Sequence, residues 1–154
     1  MALRKIVTEG DPVLAKKCRP VEKIDQRLAE LLDDLADTMH DAEGVGLAAP
    51  QVGILRRLCV VDVGEGVIEL INPEIVESEG DQYEEEGCLS VPGLVGSCHR
   101  PAYVKVKSLD RSGNTVFYEG TELLARAFCH EMDHLDGILF NSKADNLYYP
   151  EDEE

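Results

Sequence analysis

The hydrophobic positions change period along the chain. Leu28, Leu31, Leu32, Leu35 and Met39 recur at helical spacing, which predicts one buried face on a helix capped by Asp25 and ended by Gly44. Asp11-Pro12 marks a turn ahead of it. The middle of the chain follows a strand pattern instead. Residues 58–63 form a short apolar run, and residues 67–71 follow the tight Gly64-Glu65-Gly66 turn until Pro73 stops them. Val104 and Val106 alternate with Lys105 and Lys107, and Ser112-Gly113-Asn114 then turns the chain into residues 115–118, a hairpin with one wet face. These strands follow one another without intervening helices, so antiparallel pairing is expected. A second helix is predicted over residues 121–136, with Gly137 at its C-terminal cap. Its apolar stripe is Leu124, Ala127, Phe128 and Leu135. The neighbouring row Leu123, Ala127, His130 and His134 also faces inward, and the stripe's continuation lands on Glu131. Polar groups on a core-facing surface are costly without partners, so something must satisfy them.

Composition narrows the class. A chain of 154 residues with 44% apolar content suits one domain with a core that needs no disulfides. No apolar run approaches the roughly 20 residues of a membrane span. The opening residues lack the apolar stretch of a secretion signal, and the five cysteines at 18, 59, 88, 98 and 129 are odd in number. A reducing cytoplasm is therefore expected, with thiols free or metal-bound. Thirty-one acids against 15 Lys and Arg give a net charge of −16, which repels bare nucleic acid and argues against DNA as a partner. Residues 77–86 hold six acids in ten positions and read as a solvated loop; the closing acidic run reads as a solvated tail.

The strongest chemical signal is His130-Glu131-Met132-Asp133-His134. Two histidines four apart on a helix stand side by side, about 6 Å apart at Cβ, so both rings can reach one metal ion. Glu131 lies between them and to one side, where its carboxylate can hold a water bound to that ion. At least one further ligand is needed. Downstream, Asp136 and Asp145 are available, but Asp136 sits too close on the same turn. Upstream, Glu86-Gly87-Cys88-Leu89-Ser90 offers more: Gly87 permits an unusual turn and Cys88 a thiolate that a cation would stabilise. Cys18, Cys59, Cys98 and Cys129 read as buried apolar filling, and His40 and His99 as ordinary surface or packing histidines. In Gly44-Val45-Gly46-Leu47-Ala48-Ala49-Pro50-Gln51 the small residues allow close approach, and Gln51 brings an amide able to donate to an oxyanion. Taken alone, that glycine pair is equally a turn after a helix. It lacks the third glycine of a dinucleotide loop.

Taken in order, the three segments resemble the peptide deformylase family. Its motifs Gly-φ-Gly-φ-Ala-Ala-x-Gln, Glu-Gly-Cys-Leu-Ser and His-Glu-x-x-His match residues 44–51, 86–90 and 130–134, and Asp11-Pro12-Val13-Leu14 extends the likeness to about residues 3–140. The resemblance implies that Cys88, His130 and His134 bind one divalent metal ion, Fe²⁺ as the native one with Ni²⁺, Co²⁺ or Zn²⁺ as replacements. Glu131 would be general base and acid, while Gln51 and the Leu89 N–H would hold the formyl oxygen. The substrate would lie extended along Val45, Gly46 and the Gly87 side, its methionine side chain near Glu86, Leu123, Arg126 and Ala127. The chain departs from the family pattern at Cys129, where many members carry Gln, and at Val95, where many carry Arg.

The resulting expectation is an α+β fold in which antiparallel strands wrap a central metal-binding helix, with the N-terminal helix packed outside. Residues 1–145 would form one catalytic domain and 146–154 an acidic tail. The activity implied is metal-dependent hydrolysis of the formyl group from the N-terminal methionine of newly made proteins, releasing formate. Nascent formyl-methionyl peptides would be the partners, with passing ribosome proximity and no RNA docking through the acidic tail. A zincin-type metallopeptidase and a structural zinc module are the rival readings. The missing downstream ligand counts against the first, and three ligands beside an inward Glu against the second.

Overall fold

The computed structural model of the chain describes residues 2–150. Helix α1 (Gln26–Asp41) starts where expected: the Asp25 carboxylate accepts the Leu28 N–H at 3.0 Å. All five of its predicted core residues are buried, against Leu47, Leu58, Val60 and Ile71. It ends earlier than Gly44. Glu43 takes the left-handed turn (φ 59°), and the Gly44 N–H then returns to the Met39 carbonyl at 3.0 Å.

The strands are β1 (Gly46–Ala48), β2 (Leu58–Val61), β3 (Ile68–Glu79), β4 (Gln82–Cys88), β5 (Val91–Arg100), β6 (Tyr103–Leu109), β7 (Thr115–Thr121) and β8 (Asp145–Tyr148). They form an antiparallel five-stranded sheet, β1-β2-β3-β6-β7, and a three-stranded sheet, β4-β5-β8. The larger sheet is covered on both faces. Leu58 and Val60 face α1, whereas Cys59 and Val61 alternate to the other side. There they meet Ala125, Phe128 and Leu135 of helix α2 (Glu122–Leu135), followed by Gly137 at φ 77°. A Cβ on Gly137 would come within 2.7 Å of the Ala15 backbone, which explains the glycine beyond its capping role.

Two strand expectations are corrected. Pro73 does not stop β3: the register against β6 shifts between Ile71 and Glu74, so the missing proline N–H falls in a bulge. Asn72 at φ 51° braces that bulge, its side chain accepting the Val21 N–H and donating to the Val21 carbonyl. Nor are residues 77–86 a loop. They are the end of β3 and most of β4, joined through Gly80 at φ 72°. Lys105 of β6 stands opposite Glu77, so one acid of the segment meets a cation across the sheet, while β4 pairs with β5. Leu123, expected inward, is exposed at the first turn of α2. The chain at 146–148, expected to start a tail, pairs with β5 as part of β8. The acids at 151–154 lie outside the described residues.

An extended N-terminal segment ties the sheets together. The Val7 N–H donates to the Gln51 carbonyl at 2.8 Å, and the Glu9 N–H to the Ser90 carbonyl at 2.7 Å.

Candidate functional site

Three elements converge where the two sheets meet α2. At the end of β4 the register against β5 passes from Gly87–Val95 to Cys88–Val91, and this bulge delivers Cys88 to the helix. Its Sγ lies 3.3 Å from His134 Nε2. The ligand atoms of Cys88, His130 and His134 all lie within 4.8 Å of one another. Neither Asp136 nor Asp145 belongs to that group.

The imidazoles are prepared differently. His130 Nδ1 meets Glu86 Oε1 at 2.9 Å, which orients the ring and leaves Nε2 toward Cys88. Glu86 is buried and receives Arg100 Nε at 2.8 Å, Arg100 Nη2 at 2.9 Å and Arg126 Nη1. Burial alone would raise its pKa, but the hydrogen bonds from Arg100 and His130 prevail and bring it down to about 2. For His130 burial opposes the charge, yet Glu131, Cys88 and Glu86 outweigh it and raise the pKa to about 10. Burial and the neighbouring His130 push His134 well below its ordinary value, so it stands as a neutral imidazole. One thiol, one neutral imidazole and one carboxylate-oriented imidazole are a donor set suited to a borderline divalent ion.

Glu131 lies beside these donors, with Oε2 4.0 Å from His130 Nε2. Its other oxygen, Oε1, is buried and finds no hydrogen-bond partner among the described residues. Burial raises its pKa to about 7, with His130 opposing and Glu86 adding to the rise. Gly46 runs directly alongside: any Cβ there would strike the Glu131 carboxylate.

Gln51 sits in a short 3-10 turn, Ala49–Val52, and is buried. Its Oε1 accepts the Ala48 N–H at 2.9 Å. Its Nε2 donates to Ser90 Oγ at 3.1 Å and approaches Cys88 Sγ at 3.6 Å. Leu89, half-buried, packs toward α1, where a Cβ on Gly44 would come within 2.8 Å of its side chain. A cavity of about 550 Å³ opens over the group. Every residue expected to contact substrate lines it: Val45, Gly46, Glu86, Gly87, Leu123, Arg126 and Ala127. Arg126 and Glu86 line it with their polar atoms turned on each other, and Arg126 Nη2 donates to the Cys98 carbonyl at 3.2 Å. Exposed Leu123 is thus an entrance residue rather than core.

Arg100 was not anticipated. It is buried, grips Glu86, and donates to Asp133 Oδ2 at 2.6 Å. The parity of β5 carried a signal: Leu94, Gly96, Cys98 and Arg100 share its buried face. All five cysteines are free, and Cys18, Cys59, Cys98 and Cys129 are buried, with thiol pKa values raised by burial. His40 and His99 are surface residues paired to Asp62 and Asp81. No helix among the described residues is long and apolar enough to cross a membrane.

A carboxylate with a raised pKa beside a Cys-His-His donor set, in an open cavity of an α+β domain, defines the class of metal-dependent hydrolases. Within that class the chain is specific. The sequence model of the family described as polypeptide deformylase matches residues 3–148, and the chain belongs to that family. It is 63% identical over 143 residues to the peptide deformylase of Alkaliphilus metalliredigens, covering 93% of this chain and 97% of that protein. It is 59% identical to that of Acetivibrio thermocellus, covering 93% of this chain and 84% of the relative. Among solved structures, the peptide deformylase of Thermotoga maritima superposes with a TM-score of 0.92 at 42% identity, covering 94% of this chain and 99% of that one. That of Legionella pneumophila gives 0.91 at 46%, covering 94% and 88%. The endopeptidase and zinc-scaffold alternatives are thereby set aside.

Proposed function

We propose that the chain removes the formyl group from N-formyl-methionyl peptides of newly made proteins, using Cys88, His130 and His134 as ligands and Glu131 as proton carrier. The observation that carries this reading is the convergence of the three donor atoms within 4.8 Å beside a buried carboxylate oxygen that has no hydrogen-bond partner among the described residues. A divalent ion held there would supply a Lewis acid and make water nucleophilic at neutral pH. Glu131 accepts the proton of the attacking water at its free oxygen and returns it to the departing amine. The Gln51 amide and the Leu89 N–H hydrogen-bond the formyl oxygen as it gains charge. The backbone at Val45–Gly46 and the Gly87 side hold the peptide extended, as a strand added at the β1 edge. The methionine side chain enters the cavity along Leu123, Ala127 and the Glu86–Arg126 wall. Glu86 orients His130 from behind, and Arg100 and Arg126 keep its charge balanced.

The native ion is Fe²⁺ in this reading, with Ni²⁺ and Co²⁺ as active substitutes. Two imidazoles and one thiolate would suit several divalent ions, and affinity order alone does not choose among them. Five free thiols support a reducing cytoplasm as the compartment in this reading, where nascent chains pass close by. The test is anaerobic purification, metal analysis and assay on formyl- against acetyl-methionyl peptides. One equivalent of metal and turnover of the formyl substrate alone are expected. Cys88→Ser should lose metal or activity while Cys98→Ser, which keeps a donor to the Phe140 carbonyl, retains both. Full metal and rate in Cys88→Ser would overturn the site.

A further inference from the structure

We infer that Ser90 is a positioning residue: its hydroxyl fixes the side-chain amide of Gln51 so that one N–H is held and the other is presented to the reacting oxygen. The inference rests on the function proposed above and assigns a role to a residue that neither binds the metal nor touches substrate.

The orientation of the amide is settled by its surroundings. Oε1 of Gln51 accepts the backbone N–H of Ala48 at 2.9 Å, so Nε2 must occupy the opposite end. A primary amide carries two N–H donors. Ser90 Oγ, fully buried, lies 3.1 Å from Nε2 and takes one of them. Among the described residues the second has only Cys88 Sγ, at 3.6 Å, a long contact to a weak acceptor beside the cavity. That second N–H is the donor free to turn to a developing oxyanion with little loss. Were Oγ absent, a buried N–H would be left without an acceptor, and the amide would gain by rotating away from the cavity.

The backbone makes the pair rigid. Gln51 and Ser90 are 39 residues apart and sit on different sheets' margins, one in the 3-10 turn after β1 and the other in the turn between β4 and β5. Alternate residues of one extended segment tether both, Val7 to the Gln51 carbonyl and Glu9 to the Ser90 carbonyl. Side chain and main chain therefore lock the same two residues from two directions, as preorganised oxyanion stabilisation requires.

The experiment compares Ser90→Ala with wild type in the metal-loaded chain and repeats the substitution in a Gln51→Ala background. With Gln51 present, Ser90→Ala should lower kcat about tenfold or more with KM changed less than about twofold and metal content unchanged. With Gln51 removed it should have no further effect. In the zinc-loaded chain, the two Gln51 side-chain NH₂ protons are expected well separated by NMR in wild type and closer together in Ser90→Ala. Ser90→Cys, which keeps volume and a weak acceptor, covers the case in which alanine fails to fold; its kcat should fall between the two. Unchanged kcat, or the same fold-loss in both backgrounds, would overturn the inference and leave Ser90 a packing residue. An inert metal-loaded wild type would instead overturn the reading of the site.

Discussion

Glu131 is a carboxyl group with one oxygen left over. In a closed structural site that oxygen would be satisfied; here it is buried, unpartnered among the described residues, and carries a pKa raised to about 7 by burial. A group so poised moves protons in either direction near neutral pH. Glu131→Gln should therefore keep its metal and its fold but lose about 10²- to 10⁴-fold in kcat; an active variant with full metal would remove Glu131 from the chemistry. At this scale the sequence was generous where residue type is rare. Four histidines, two of them four apart on an inward face, leave few readings. Arg100 was hidden for the opposite reason. Arginines are ordinary at strand ends, and only burial together with two carboxylate partners shows this one to be part of the interior.

Elements meet here through small residues at a few crossings. β1 passes α2 at Gly46, where added atoms would displace the Glu131 side chain or push the strand away. Gly46→Ala should fold and bind metal yet lose about 10²-fold in kcat, because misplacement by about 1 Å costs that much; a rate near wild type would mean the crossing is loose. Asn72 makes a different joint, pinning the segment before α1 to the β3 bulge through two hydrogen bonds and a left-handed backbone. Asn72→Ala should cost about 2–3 kcal/mol in denaturant unfolding with kcat unchanged; a neutral effect on stability would refute the joint. Helix α1 closes at Asp41, short of the expected Gly44, but its start and the end of α2 were legible because their caps are local, Asp25 and Gly137 acting on the turns beside them. β3 was not. Its passage through Pro73 depends on Asn72, on Val21 some fifty residues earlier and on lysines of a strand not yet reached. Likewise the acids of β4 read as a loop until β5 pairs with them, although Glu84 and Glu85 stay exposed on that strand.

Over the whole molecule the sequence carries 16 more negative than positive charges, and self-repulsion works against the compact state. Surface screening should relieve it, since the Debye length falls from about 30 Å at 0.01 M salt to about 10 Å at 0.1 M. The midpoint of thermal unfolding is therefore expected to rise with sodium chloride across that range, and to rise less in a variant with several surface acids replaced by glutamine. A flat salt response would place the excess charge where it does no harm. The tether from residues 7 and 9 to Gln51 and Ser90 has a further consequence, in where the chain tolerates being cut. A nick at the Ser112–Gly113 turn would open an exposed hairpin end that serves no site. A nick among residues 6–10 would release the strap that ties Gln51 to Ser90, so cleavage far from the metal ligands in sequence should still cost the site its alignment.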